Sequence, residues 1–170
     1  MPRARLACCL LATLAACGGG GGGGSTPQLS GPARVVAGPA EIPLGAASVD
    51  VLVELANVPS PPPALLQLAV EVPAGLALSP TNRLQAATDL VTLDGDFVGD
   101  RFVVVCGDAR NAAAALLKVG PLFRLRVTPA TPRVPGTHQL RLKELIAASR
   151  DGQTPLAVET TPAFVDVVVR

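Results

Sequence analysis

The sequence of 170 residues has no tryptophan, no tyrosine, one histidine and one methionine. Each shortage removes a class of chemistry. Without Trp or Tyr there is no indole or phenol on which a sugar ring could stack. The four phenylalanines are a poor substitute: Phe102, Phe123 and Phe164 fall in strand-like alternations suited to a core, which leaves Phe97 as the one exposed aromatic expected. The single histidine, His138, lies in a Pro-Gly-Thr-His-Gln approach to a strand, a surface or edge setting rather than that of a general base. No Gly-x-Ser-x-Gly elbow, phosphate-binding glycine loop or Cys/His metal spacing occurs. Carboxylates are scattered over strand faces and turns, so no glycosidase pair stands out. These shortages argue against an enzyme, and no cofactor is implied. Lysine is scarce too, with only Lys118 and Lys143. Of 14 Lys and Arg, Arg3 and Arg5 lie in the first segment, which leaves twelve against 13 acidic residues and a net charge of −1 over the rest. No basic block suggests nucleic acid or an anionic lipid surface.

What the chain does have begins at its N-terminus. Arg3 and Arg5 precede an apolar run from Leu6 to Leu14, too short to span a hydrocarbon core that needs about 20 helical residues. The run ends in Leu14-Ala15-Ala16-Cys17, followed by seven glycines, Gly18 to Gly24, and then Ser25-Thr26-Pro27. A Leu three positions before a Cys, with small residues between, resembles the lipobox of bacterial lipoprotein precursors; the alternative is an ordinary secretory signal with Ala-x-Ala-type cleavage. The resemblance implies cleavage after residue 16, acylation of Cys17 and attachment to a membrane by several acyl chains. Each buried CH₂ of such a chain contributes about 0.8 kcal/mol. Gly18, where an Asp would favour inner-membrane retention, implies the outer membrane of a Gram-negative envelope. The glycine run cannot pack a core, and ten such residues span about 17 Å on average. The expected division is therefore a signal peptide over 1–16, a lipidated Cys and flexible linker over 17–32, and one domain over 33–170. Cys8 and Cys9 would leave with the signal, so Cys106 stands alone in the domain and no disulfide within it is possible. Its place at the end of Phe102-Val103-Val104-Val105 predicts a buried strand cysteine.

Within the domain, Pro and Gly recur every several residues, and apolar residues between them alternate with period two. Val49, Val51, Val53 and Leu55 alternate with Asp50 and Glu54, and Leu66, Leu68, Val70 and Val72 with Gln67 and Glu71. Phe123, Leu125 and Val127 alternate with Arg124 and Arg126, and Leu140 and Leu142 with Gln139, Arg141 and Lys143. Arg101 to Cys106 reads as a continuous apolar strand inside a sheet, and Phe164 to Val169 is rich in β-branched residues. Asn111 to Lys118 is the one stretch with helical character. Many short strands with turn signals between them predict an all-β antiparallel sandwich.

Asp94, Asp96, Asp100 and Asp108 are the best-placed metal candidates, because Ca²⁺ takes six to eight oxygen ligands. The EF-hand loop spacing is not met. Asp94-Gly95 is also the dipeptide that a tight hairpin demands, and the turn is the preferred reading.

Three segments together resemble cohesin-like members of the carbohydrate-binding-module superfamily of β-sandwiches. They are Val53-Glu54-Leu55-Ala56-Asn57-Val58-Pro59, the strand Gly120-Pro121-Leu122-Phe123-Arg124-Leu125-Arg126-Val127, and Leu142 to Ala148 followed by Asp151-Gly152 and a terminal valine-rich strand. The resemblance covers roughly residues 33–170 and implies a jelly-roll sandwich that binds a protein through one exposed sheet face, as cohesins bind dockerins. No dockerin-contacting residue can be matched. The partner expected is a dockerin-like or other envelope protein. A polysaccharide is the alternative that the superfamily implies.

Overall fold

The computed structural model describes residues 31–89, 91–108, 117–150, 154–159 and 163–170. Cys17 and the glycine run lie outside these residues, as do residues 111–116 of the stretch with helical character; Leu117 and Lys118 are irregular.

Among the described residues, twelve strands form two sheets: β1 (Arg34–Ala37), β2 (Ala40–Ile42), β3 (Val49–Asn57), β4 (Leu65–Glu71), β5 (Leu76–Leu78), β6 (Leu84–Ala86), β7 (Val91–Val98), β8 (Arg101–Asp108), β9 (Gly120–Pro129), β10 (Gly136–Ala148), β11 (Pro155–Leu156) and β12 (Ala163–Val169). The smaller sheet runs β1-β3-β9-β5, with β6 also on β9; the larger runs β2-β12-β10-β4-β8-β7, with β11 on β10. Pairing between these strands is antiparallel except for β2 along β12. The expected all-β sandwich is what forms.

Alternation decides which residues face inward. In β3 and β9, Val51, Val53, Leu55, Phe123, Leu125 and Val127 are buried, and they meet Leu66, Leu68 and Val70 of β4 and Phe102, Val104 and Cys106 of β8. Leu140, Leu142, Val165, Val167 and Val169 extend the core under β10 and β12. At about 1.5–3 kcal/mol for each large apolar side chain buried, this layer dominates stability. Ser79 is the only buried polar residue among those described, and its hydroxyl donates to the Thr81 carbonyl at 2.7 Å. Arg133 ties one end of the sandwich together, donating to the carbonyls of Ile42, Pro43, Ala46 and Arg170 at 2.7–3.1 Å.

Two expectations need correction. Asp94-Gly95 is not a turn. It sits inside β7, with Asp94 opposite Val105 and Gly95 opposite Val104. Gly95 serves close packing, since a Cβ there would lie 2.8 Å from Leu84 Cδ2 and 2.9 Å from Phe102 Cζ. The hairpin turn falls instead at Gly99-Asp100, where Gly99 has φ +65° and Asp100 does not share it, the type II′ pattern. Phe164 is not a core residue either. It points outward from β12 and is 49% exposed, whereas Phe97 (46% exposed) packs on Phe102 at a ring distance of 5.2 Å.

Candidate functional site

The outward faces of the two sheets differ in chemistry. On the smaller sheet the outward residues of β3 and β9 include Asp50, Glu54, Arg124 and Arg126. Asp50 and Arg126 are cross-strand neighbours joined by two hydrogen bonds, at 2.8 and 3.1 Å. The bond from Arg126 holds the Asp50 carboxyl below its ordinary value. The same face also carries Leu52, opposite Arg124, and Ala56.

The outward face of the larger sheet is apolar at its centre. Where β7, β8, β4 and β10 lie side by side, register puts Asp96, Val103, Ala69 and Lys143 in one cross-strand row. Asp94, Val105, Gln67 and Ile146 form the next row, and Leu65 lies beyond Gln67 along β4. Ile146 is 49% and Leu65 37% exposed, while Val103 and Val105 are half-buried by their neighbours. Gln67 interrupts the group between Val105 and Ile146, but all four apolar side chains share one face, which makes it the candidate contact surface.

Ion pairs border the strip at the end where β7 turns into β8. Lys143 Nζ donates to Glu71 Oε1 at 2.7 Å, and Arg101 pairs with Glu144. Glu144 reaches this face because β10 carries a bulge there. Register with β4 shifts between Lys143 and Ile146, and Glu144 adopts φ 52°, a left-handed conformation that side chains seldom take. Without the extra residue, alternation after Lys143 would turn Glu144 toward the core. Arg141 lies over the Phe164 ring, its guanidinium carbon 5.7 Å from the centroid.

The residues singled out in the sequence are dispersed. Asp94 and Asp96 project from the outward side of edge strand β7, and their Oδ1 atoms accept from the backbone N–H of Gly95 and Phe97 at 2.8 Å. Asp100 is in the Gly99-Asp100 turn, its side chain almost fully exposed, with Arg101 at 3.8 Å. Asp108 closes β8. Among the described residues no group of three or more His, Cys, Asp and Glu side chains could hold a metal ion. His138 is half-buried near the start of β10, where its ring lies on Gly75 and Nε2 donates to the Val134 carbonyl at 3.0 Å. It borders an open groove of ≈ 560 Å³ that also takes in Glu71, Asp100, Gln139 and Arg141. Cys106 is buried as expected, and burial pushes its thiol up to about 12. The apolar strip was missed in the sequence, although the signal was there: Phe102 to Cys106 is apolar at every position, more than one buried face requires.

No protein-family model and no curated protein matches the chain. Solved structures do. A non-cellulosomal cohesin from the archaeon Archaeoglobus fulgidus is similar at 21% identity and a TM-score of 0.59, over 81% of this chain and 92% of that one. A cohesin module from a family 33 glycoside hydrolase of Clostridium perfringens matches at 11% identity and a TM-score of 0.63, over 82% and 98% of the two chains. A type I cohesin–dockerin complex from Clostridium thermocellum matches at 14% identity and a TM-score of 0.61, over 82% and 95%. The fold is therefore that of cohesin modules, as the three sequence segments implied.

Proposed function

We propose that this chain is a non-catalytic, lipid-anchored docking protein of the bacterial cell envelope, whose sandwich binds a partner protein through the outward face of β7, β8, β4 and β10. The observation that carries the reading is the group of Val103, Val105, Ile146 and Leu65 on one outward face, where Ile146 is 49% and Leu65 37% exposed. The likeness to a cohesin solved as a dockerin complex supports a dockerin-like partner. The sequence Leu14-Ala15-Ala16-Cys17 supports the anchor, and Gly18 supports the outer membrane as its address.

A photoreactive phenylalanine at Val105 should capture the partner in envelope preparations, and one at Arg124, on the opposite face, should not. Val103→Arg should abolish the capture at 105. Equal capture at both positions would sink the assignment of the face. A glycan reading has less to stand on. The exposed Phe164 has one side of its ring taken by Arg141, and saturable binding on a glycan array with no protein partner is the result that would favour it.

A further inference from the structure

We infer that the partner presents an apolar ridge bordered by lysine or arginine on the side that lies over β7. This rests on the docking reading above and adds to it the partner's charge and its orientation. The charged groups on β7, β8, β4 and the bulge of β10 fall into two sets. Glu71 is taken by Lys143 and Glu144 by Arg101, so those four neutralise one another. Asp94 and Asp96 are satisfied only by the backbone N–H next along the chain, and neither forms an ion pair among the described residues. They hold a net negative border along β7, beside Val103 and Val105. On the β10 side Arg141 lies on Phe164, one row beyond Lys143 toward the Gly99-Asp100 turn, with Glu71 opposite it on β4 and exposed Asp166 two residues past Phe164 on β12, so that side carries charges of both signs.

Three strand spacings separate β7 from β10, about 14 Å at roughly 4.8 Å each. That exceeds the screening length of about 8 Å at physiological salt, so cations held over β10 gain little from the carboxylates of β7. Like charge across an interface is costly and opposite charge steers encounter. A partner with cations on one side of its ridge therefore lands with that side over β7, and in the reversed orientation those cations lose the attraction of Asp94 and Asp96.

Two matched three-helix-bundle probes test this. They share one Leu/Ile ridge and differ only in the border beside it, lysine in one and glutamate in the other. Calorimetric titration of the purified full-length chain at low salt should show the lysine-bordered probe bound about fivefold more tightly, with the preference shrinking as salt rises. Asp94→Asn with Asp96→Asn should erase the preference. Asparagine keeps the oxygen that accepts the Gly95 and Phe97 hydrogen bonds, and an unchanged melting temperature verifies that the fold is intact. Val105→Arg should remove binding of both probes. Equal affinity for the two, a preference for glutamate, or a lysine preference that survives the double substitution overturns the charge assignment. The docking face stands in those cases provided Val105→Arg still abolishes binding. Binding that survives Val105→Arg defeats the docking reading itself, and failure of both probes to bind counts against both.

Discussion

At the scale of single residues, the core tolerates little polar or steric change. Cys106 lies 1% exposed at the centre of β8, and its thiol is raised from an ordinary 9.0 to about 12 because burial disfavours the thiolate. A group raised in the folded state contributes stability that is whole below its unfolded value and is lost as pH rises through its folded one. Between pH 9 and about 12 the protein should therefore lose stability that Cys106→Ala retains. In the folded state at pH 8 the thiol should not react with a disulfide reagent, and it should react at once in denaturant. Rapid labelling of Cys106 itself in the native protein, told apart by peptide mapping from Cys8, Cys9 and Cys17, would contradict the burial. Asp50 works in the opposite direction: the hydrogen bond from Arg126 lowers its carboxyl, so its contribution is present above the unfolded carboxylate value and is lost as pH falls through the folded one. Asp50→Asn should flatten the acid limb of a stability-against-pH curve and leave the alkaline limb alone. Gly95 is limited by space, because the Cβ of Gly95→Ala would press on Leu84 and Phe102. Overpacking of that kind costs about 1–3 kcal/mol, readable as a shift in the urea midpoint.

At the scale of strands, what could be read in the sequence follows from which faces meet solvent. β3 and β9 have one buried and one charged face, so their alternation is clean and their register with the core was legible. β7 was not. It is an edge strand in which Asp94, Gly95 and Asp96 all favour turns, and only pairing with β8 overrides that preference. β1, β2, β5 and β6 are three or four residues long, too short for a period to show. The face proposed for docking was hidden for another reason: its outward residues come from β4, from the β7–β8 hairpin and from β10, and only their register brings these together. The bulge in β10 is likewise a product of pairing, and it can be tested directly. Glycine adopts φ 52° without strain and alanine does not, whereas both substitutions remove the carboxylate that pairs with Arg101. Glu144→Gly should therefore be more stable than Glu144→Ala by about 1 kcal/mol in urea denaturation. Equal stabilities would mean that the left-handed conformation is not kept in solution.

At the scale of the whole molecule, the entry point of the chain sets how the face would be presented. Gly31 bonds to Val58 and Ala33 to Ala157, so the N-terminal segment joins the sandwich at the end where β3 closes. The turn at Gly99-Asp100, the loop held by Arg133 and the end of β12 lie at the opposite end, because β3 and β10 run between the two. An anchor at Cys17 would tether the first end of the sandwich to the membrane and leave the second free. The apolar strip, on a side of the sandwich between the two ends, would then stay open to a partner. Cys17→Ala separates the anchor from the fold. The variant should lose acyl labelling and leave the membrane fraction, yet melt at the same temperature and bind its partner with the same affinity in solution. If it still sediments with membranes, the anchor assignment fails. If it is released but binds more weakly in solution, the lipid or its linker belongs to the docking surface, and the sandwich face alone does not account for recognition.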